Sequence, residues 1–187
     1  ATETADAGPE ARTYTEFGDR CRWFEESQED VAALVADFMP EPGPVSLQEF
    51  DLVNNPADYE QGIGCRMPDA DSPGGTTVIV SEYGYKDAES ATMIDDEFRS
   101  IANTPQVYDT EDVDLGDDAI TQTVMVAHQN DNAVHYHLVV REGERVTRMT
   151  IRQRPEVPYD SDAPPPPEAP ERRAQLLELA ELLGPWS

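Results

Sequence analysis

The stretch that decides the fold runs from Val113 to Leu183 and contains a Gly-Asp turn, three strand-like segments and an amphipathic helix. In order, the segments are LGDDA at 115–119, ITQTVMVA at 120–127, AVHYHLVVRE at 133–142, RVTRMTIRQ at 145–153 and PERRAQLLELAELLG at 170–184. Strands joined by short turns and followed by a helix are typical of an antiparallel sheet with helices packed on it. The sequence therefore predicts an α+β fold.

Alternation of apolar and polar residues divides the predicted strands into two faces. One face of the second strand is apolar and carries Val134, Tyr136, Leu138 and Val140. In the third strand Met149 and Ile151 point inward, and the opposite face carries Arg148, Thr150 and Arg152. Glu142-Gly143-Glu144 supplies the glycine that a short hairpin connection needs. These patterns predict which residues of the sheet form the core.

The elements before this stretch are predicted from helical spacing and turn residues. A helix is expected to begin at Ser27, to bury Val31, Leu34, Val35 and Phe38, and to end before Pro40. Strands are expected at 47–53, 62–67 and 76–83, and a second helix at 87–101. We expect residues 1–13 to form a flexible tether and residues 14–187 a single domain, with a proline-rich surface loop at 155–170.

The charge of the chain excludes whole classes of function. It has 39 acidic and 13 basic residues, for a net charge of -26. Binding to nucleic acid requires clustered cations, so a general nucleic-acid-binding protein is excluded. No apolar run approaches the ~20 residues that a transmembrane helix needs. The acidic surface is typical of a highly soluble or salt-adapted protein.

The two cysteines, Cys21 and Cys65, are separated by 44 positions. This spacing matches neither a zinc ribbon nor a redox CxxC motif. We interpret the pair as one structural disulfide, with two buried thiols as the alternative. A disulfide indicates an extracytoplasmic location.

This combination of features resembles actinobacterial cell-envelope lipoproteins whose domain is a PsbP-like α/β sandwich. The resemblance covers about Tyr14 to Leu183 and rests on Cys21 before a helix, Cys65 at a strand, and the helix after Tyr83. It rests also on Leu115-Gly116-Asp117-Asp118-Ala119 before a strand, on Leu138-Val139-Val140-Arg141 before a glycine turn, and on the closing leucine-rich helix.

The resemblance implies a secreted protein or one tethered by a lipid on an N-terminal cysteine. No such cysteine stands at the start of this sequence, so an anchor would have to precede residue 1. Related extracellular modules act as sensor domains, which implies binding of an envelope protein or a small ligand. The resemblance thus predicts a sensor or accessory role without catalysis.

Three histidines suggest an alternative function. His135 and His137 alternate along a strand, so their rings share a face, and His128 lies near the end of the preceding strand. Carbonic anhydrases use an alternating pair of this kind within a three-histidine zinc site. A zinc-dependent protein or enzyme that uses His128, His135 and His137 therefore stays open beside a plain polar sheet face.

Two other charged groups have both a binding and a structural interpretation. Calcium could be held by the acidic turn that contains Asp112, Asp114, Asp117 and Asp118, although the ligand spacing of an EF-hand is missing. An anion could bind the face that carries Arg148, Thr150 and Arg152, because arginine presents a fork of donors. The structural alternatives are a solvated turn and ion pairs with neighbouring acidic residues.

The sequence contains no motif that specifies catalysis. GxSxG, SxxK, P-loop and GxGxxG patterns are absent from the sequence, and the predicted disulfide would use both thiols. We therefore expect no cofactor and a binding role rather than an enzymatic one.

Overall fold

The computed structural model describes residue 14 and residues 16–49, 59–71, 75–92, 107–126, 133–154 and 164–186. The helices are α1 (Asp19–Glu26), α2 (Gln28–Leu34) and α3 (Ala169–Leu183). The strands are β1 (Ser46–Glu49), β2 (Tyr59–Pro68), β3 (Thr77–Tyr85), β4 (Val107–Val113), β5 (Asp118–Val126), β6 (Ala133–Glu142) and β7 (Arg145–Gln153). Residues 88–92 are also helical.

The seven strands form one sheet in the order β1-β2-β3-β7-β6-β5-β4, and all neighbours are antiparallel. Consecutive strands pair as hairpins on both sides of the sheet, and β3 pairs with β7 in the middle. The predicted antiparallel α+β fold is confirmed. The predicted strands correspond to β1, β2, β3, β5, β6 and β7, with ends that differ by a few residues; residues 50–53 of the first lie outside the described residues.

Strand β4 was not predicted as a strand. It contains Asp109, Glu111 and Asp112 and lies at the edge of the sheet, beside β5. Acidic residues are depleted in strands, and charged side chains on an edge strand prevent pairing with other chains. The acidic residues that suit an edge strand are therefore the reason why the sequence did not predict β4.

The helices also differ from the prediction at their ends. Helix α1 was not predicted, and the helix expected from Ser27 ends at Leu34, so Phe38 lies in the following turn. Helix α3 begins at Ala169, one residue before the predicted end of the proline-rich loop. Pro170 fits the first turn because an N–H there would have no partner within the helix. The part of the loop at 155–163 lies outside the described residues.

Helices α1, α2 and α3 cover one face of the sheet, which we call the core face. This face carries Cys65, Val80, Tyr136, Leu138 and Met149, and all five are at most 1 % exposed. Helix α3 adds the predicted stripe of Leu176, Leu179, Ala180 and Leu183. Burial of this apolar surface is the main stabilising term of the fold. No helix in the described part of the chain is suited in length and composition to span a bilayer.

The opposite face of the sheet holds a smaller apolar cluster. Ala91, in the helical residues 88–92, packs there against Tyr85, Ile120, Val139 and Val146. Residues 93–101 of the predicted second helix lie outside the described part. The sheet therefore has helical residues on both sides, as the prediction of a helix-flanked sheet required.

The predicted disulfide between Cys21 and Cys65 is present. It joins α1 to β2, with a Cα–Cα distance of 5.6 Å, and both cysteines are fully buried. Because Cys65 lies on the core face, the bond holds the first helix on the sheet.

Candidate functional site

The face of the sheet opposite helices α1 to α3 has an unusual charge distribution, and we call it the basic face. On β2, β3, β7 and β6 it consists of alternate residues whose direction follows from the pairing register. The arginines and histidines among them are Arg66, Arg148, Arg152, Arg141, His135 and His137. Among the described positions of these four strands, the acidic residue that shares the alternation is Glu60, at the irregular pairing of β2 with β3, and Asp118 of the neighbouring strand β5 lies opposite Arg141.

The predicted ligand residues Arg148, Thr150 and Arg152 share the basic face, as the alternation along β7 indicated. Thr150 is only 4 % exposed, and its hydroxyl is hydrogen-bonded to Nδ1 of His137 at 2.9 Å. The two arginines are partly exposed. Within this set, Arg148 and Arg152 are therefore partly exposed and Thr150 is buried.

Both arginines are held by contacts across the neighbouring strand β3. Nη2 of Arg148 donates to the hydroxyl of Tyr83 at 2.7 Å, and Nη1 of Arg152 donates to the carbonyl oxygen of Gly75 at 3.2 Å. The contact of Arg148 with Tyr83 leaves this arginine without a carboxylate partner among the described residues. An arginine whose position is fixed by a neutral partner loses less conformational entropy when it binds an anion.

The histidines lie beside these arginines. The rings of His135 and His137 are 5.5 Å apart between centroids, and their strand positions are directly opposite Arg152 and Thr150. Burial lowers the pKa of His137 well below its usual value, and the nearby charges of Arg148 and His135 lower it further. His137 is therefore neutral at physiological pH.

The zinc interpretation receives limited geometric support. His128 lies outside the described residues, and the described ones contain no cluster of three His, Cys, Asp or Glu side chains that could hold a metal ion. Two arginines also stand beside the histidine pair, and positive charge disfavours a bound cation. The same environment favours an anion.

The acidic turn at 112–118 has a structural role. The backbone N–H of Gly143 donates to Oδ2 of Asp117 at 2.6 Å, and the N–H of Asp117 donates to the carbonyl oxygen of Arg141 at 2.9 Å. Arg141 also forms an ion pair with Asp117 at 3.7 Å. Asp117 thus joins the turn between β4 and β5 to the turn between β6 and β7.

The residue that sequence reasoning missed most clearly is Arg20, which is fully buried in α1. Its guanidinium donates to the carbonyl oxygens of Leu183 and Pro185 and to Glu142, 2.7 Å away. The rings of Tyr14 and Trp186 lie 4.0 and 3.8 Å from its central carbon. An arginine within a polar run such as DRCR gives no sequence signal of burial.

A second buried charge, Glu82, completes this region. Its carboxylate accepts hydrogen bonds from the hydroxyl of Tyr14 at 2.8 Å and from the N–H groups of Gly18 and Cys21 at the start of α1. Burial and the charge of Glu82 raise the pKa of Tyr14. Glu82 therefore acts as an N-terminal cap supplied by β3, which is a structural function.

The arginines of α3 are also neutralised by acidic partners. Arg172 bonds Asp37 at 2.7 Å, and Arg173 contacts Asp109 at 2.9 Å and also Glu111. These ion pairs tie α3 to the turn after α2 and to edge strand β4. They differ from Arg66 and Arg148, which have no carboxylate partner in the described ranges.

Comparison with known proteins does not assign the chain to a family. No protein-family model matches the sequence, and no curated protein is significantly similar to it. The functional argument therefore depends on the geometry of the basic face.

Proposed function

We propose that this protein is an extracytoplasmic, non-catalytic binding module, secreted or lipid-anchored in the cell envelope. Its binding surface is the basic face, and it takes a protein partner or a small ligand in a sensor or accessory role. The buried disulfide supports the location, because such bonds form and persist in oxidising compartments. A PsbP-like sandwich, as in actinobacterial envelope lipoproteins, is the family context that we propose for the fold.

The observation that carries the proposal is the segregation of charge on the sheet. In a chain of net charge -26, four adjacent strands present four arginines and two histidines on one face, and Glu60 at the irregular start of β2 is the one acidic residue that shares their alternation among the described positions. Arginines that serve only stability pair with nearby carboxylates, as Arg172 and Arg173 do. Arg66 and Arg148 have no such partner among the described residues, so their charges are available to a ligand.

Binding is favoured over catalysis because a hydroxyl and an imidazole that are hydrogen-bonded on this face are both buried. The hydroxyl of Thr150 and the ring of His137 are hydrogen-bonded, as a nucleophile and its base would be. They are only 4 % and 8 % exposed. This pair is better explained as a buried polar contact that supports the face.

The proposal is tested by capture of a partner from an envelope extract on immobilised protein. Arg148→Glu combined with Arg152→Glu should abolish capture and leave the melting temperature nearly unchanged, because both side chains are partly exposed. The single reversals Arg148→Glu and Arg152→Glu are also measured, and each is compared with Lys86→Glu, which makes the same change in charge at an exposed residue after β3. Capture that survives the double reversal would place the site elsewhere, in the first instance at the acidic turn 112–118.

The zinc alternative is separated by elemental analysis of protein purified without a histidine tag. Stoichiometric zinc that is lost in His135→Ala and His137→Ala variants would favour a metal site that includes His128. Absence of zinc in protein that still captures a partner would support the binding module.

A further inference from the structure

The two edges of the sheet differ in how they are protected. Strand β4 carries three acidic residues, and Arg173 of α3 pairs with two of them, Asp109 and Glu111. Strand β1 has one acidic residue among four, and its side chains Ser46 and Leu47 are both exposed. Charged or covered edges resist pairing with another chain, whereas an edge without such protection is a template for it. Among the described residues, β1 is therefore the edge that is open to a further strand.

Leu47 gives this edge an apolar contact point. Among the large apolar side chains that the structure describes, it is the exposed one, at 58 %. It lies opposite Cys65 in the register, so it continues the core face one strand beyond β2. Val45, just before β1, packs against the same core and is partly buried. A side chain on an added strand would lie about 5 Å from Leu47 and would cover it.

The other face of β1 lies beside a positive charge. Ser46 is opposite Arg66, which is exposed and has no carboxylate partner in the described ranges. At the usual spacing of strands, the backbone of an added residue beside Ser46 would be about 10 Å from that of Arg66. Long side chains of opposite charge can meet across this distance because the serine between them is small. The position beside Ser46 therefore favours Asp or Glu.

These contacts define the chemistry of the partner. Alternate side chains of an extended peptide project to opposite faces of a sheet. The residue beside Ser46 would share the face of Arg66, and its two neighbours would lie on the core face, beside Val45 and Leu47. We propose that β1 accepts an extended segment of a partner protein as an eighth strand of the sheet, with an acidic residue between two apolar ones.

The inference rests on the proposed function, because it specifies how a protein partner attaches at the edge of the basic face. A second copy of this chain is a poorer occupant, since two chains of net charge -26 repel each other. A small ligand is also a poorer occupant. The outward N–H and C=O groups of an edge strand are matched by another extended backbone.

The binding of two synthetic peptides of identical composition tests the proposal. In the first, glutamate stands between two valines, and serine and threonine flank them; in the second, glutamate is exchanged with one valine. The exchange places the two valines on opposite faces of an extended strand. Fluorescence anisotropy at low ionic strength should show that the full chain prefers the first peptide by about tenfold, because only the first covers Val45 and Leu47 together.

Backbone methylation of the first peptide tests strand pairing itself. Successive N–H groups of a strand point to opposite sides, so only every second one can donate to β1. One form is methylated at the glutamate nitrogen and the other at both valine nitrogens. Their affinities should differ by about tenfold, because only one form loses the N–H groups that face β1.

Variants of the chain locate the added strand. Leu47→Asp should weaken the first peptide by about tenfold, because valine would then lie beside a charge. Ala174→Asp, exposed on α3, is the matched control and should change the affinity by less than about twofold. Arg66→Gln should weaken binding by roughly threefold, as expected for one exposed charge pair, and Arg22→Gln in α1 is its control. Retained melting temperatures show that each variant is folded.

Three outcomes would overturn the proposal: equal affinity for the two peptides, equal affinity for the two methylated forms, or insensitivity to the Leu47 and Arg66 variants. A dimer of the free chain that dissociates in Leu47→Asp would also overturn it, since a second copy would then occupy the edge. The fate of the proposed function is read separately, from capture in envelope extract. Capture that depends on Arg148 and Arg152 without peptide discrimination would keep the basic face and remove the added strand. Peptide discrimination without such capture would support the added strand and remove the basic face.

Discussion

At the scale of single residues, Arg20 connects the start and the end of the described chain. Its guanidinium bonds carbonyl oxygens at the end of α3 and just beyond it, and it lies against the rings of Tyr14 and Trp186. The side chain is fully buried, and Glu142 supplies the opposite charge. A buried charge in such a network is costly to disrupt because its partners cannot regain water.

We therefore expect Arg20→Met to destabilise the protein by about 3–5 kcal/mol, since it leaves Glu142 and two carbonyl oxygens without their donor. The free energy of unfolding is measured by urea denaturation. Arg22→Met is the control: the side chain of Arg22 is 55 % exposed, and its ion pairs with Asp19 and Glu26 should contribute at most about 1 kcal/mol. Equal effects of the two substitutions would contradict the role assigned to Arg20.

His137 predicts a dependence of stability on pH. Its pKa in the folded protein lies well below the value of an exposed histidine, through burial and then through Arg148 and His135. The unfolded chain therefore takes up a proton first as the pH falls. The stability associated with neutral His137 is complete above about pH 6.5 and is lost below it, by at most about 1.4 kcal/mol per pH unit.

The measurement compares urea unfolding at pH 7.5 and 5.5 for the native protein and His137→Gln. Carboxylates contribute almost equally to both proteins, so the difference between them isolates the histidine. The native protein should lose more stability than the variant as the pH falls. Identical losses would show that His137 is not buried in its neutral form.

At the scale of elements, two turns that contain glycine allow the cost of the backbone conformation to be measured apart from the cost of steric overlap. Gly116 and Gly143 have φ angles of 61° and 59°, which other residues rarely adopt. A Cβ on Gly116 would lie 2.7 Å from the carbonyl oxygen of Arg141 and 2.8 Å from Cγ1 of Val140, whereas a Cβ on Gly143 meets nothing within 4 Å. A larger residue would therefore clash with its surroundings at Gly116 but not at Gly143.

We predict that Gly143→Ala reduces the free energy of unfolding by about 1 kcal/mol, the cost of a left-handed backbone for alanine. Gly116→Ala should cost about 1–3 kcal/mol more, because overpacking adds to the same backbone cost. Chemical denaturation of both variants gives the comparison. A smaller effect at Gly116 than at Gly143 would be inconsistent with the close approach of the two turns.

The sequence predicted some elements better than others for physical reasons. Strands β6 and β7 were predicted to within a residue because one face is buried in the apolar core and the other is polar, so the alternation is clear. Helix α1 was missed because polar side chains, those of Asp19 and Arg20, occupy its buried side. Burial that depends on a polar network leaves no periodicity of apolar residues.

At the scale of the whole molecule, the disulfide joins parts of the chain that are 44 residues apart. Because both sulfur atoms are in the disulfide, we expect no alkylation without reductant even in denaturant, as checked by intact mass. Cys21→Ala combined with Cys65→Ala should lower the free energy of unfolding by about 2–5 kcal/mol, as is typical for loss of a native disulfide. Two alkylated thiols under non-reducing conditions would show that the disulfide is absent. The argument for an extracytoplasmic location would then be lost as well.

The candidate site was predictable only within a single strand. Alternation placed His135 and His137 on one face of β6, and Arg148 and Arg152 on one face of β7. The pairing of the two strands was needed to show that both groups lie on the same face of the sheet. Arg66 joins them through β2, and no sequence pattern relates it to Arg148 and Arg152, which follow it by 82 and 86 positions. The directions of Arg148 and Arg152 depend on Tyr83 and Gly75, which tertiary contacts alone supply.

The central claim is that a partner binds the basic face, and site-specific photocrosslinking in envelope extract tests it most directly. A photoreactive amino acid replaces Ser46, which is exposed and lies opposite Arg66 at the edge of that face, or Ala174, which is exposed on α3. We expect a crosslinked adduct from position 46 that disappears in the Arg148→Glu and Arg152→Glu background, and none from position 174. An adduct from position 174 alone, or one from position 46 that persists after the charge reversal, would contradict it.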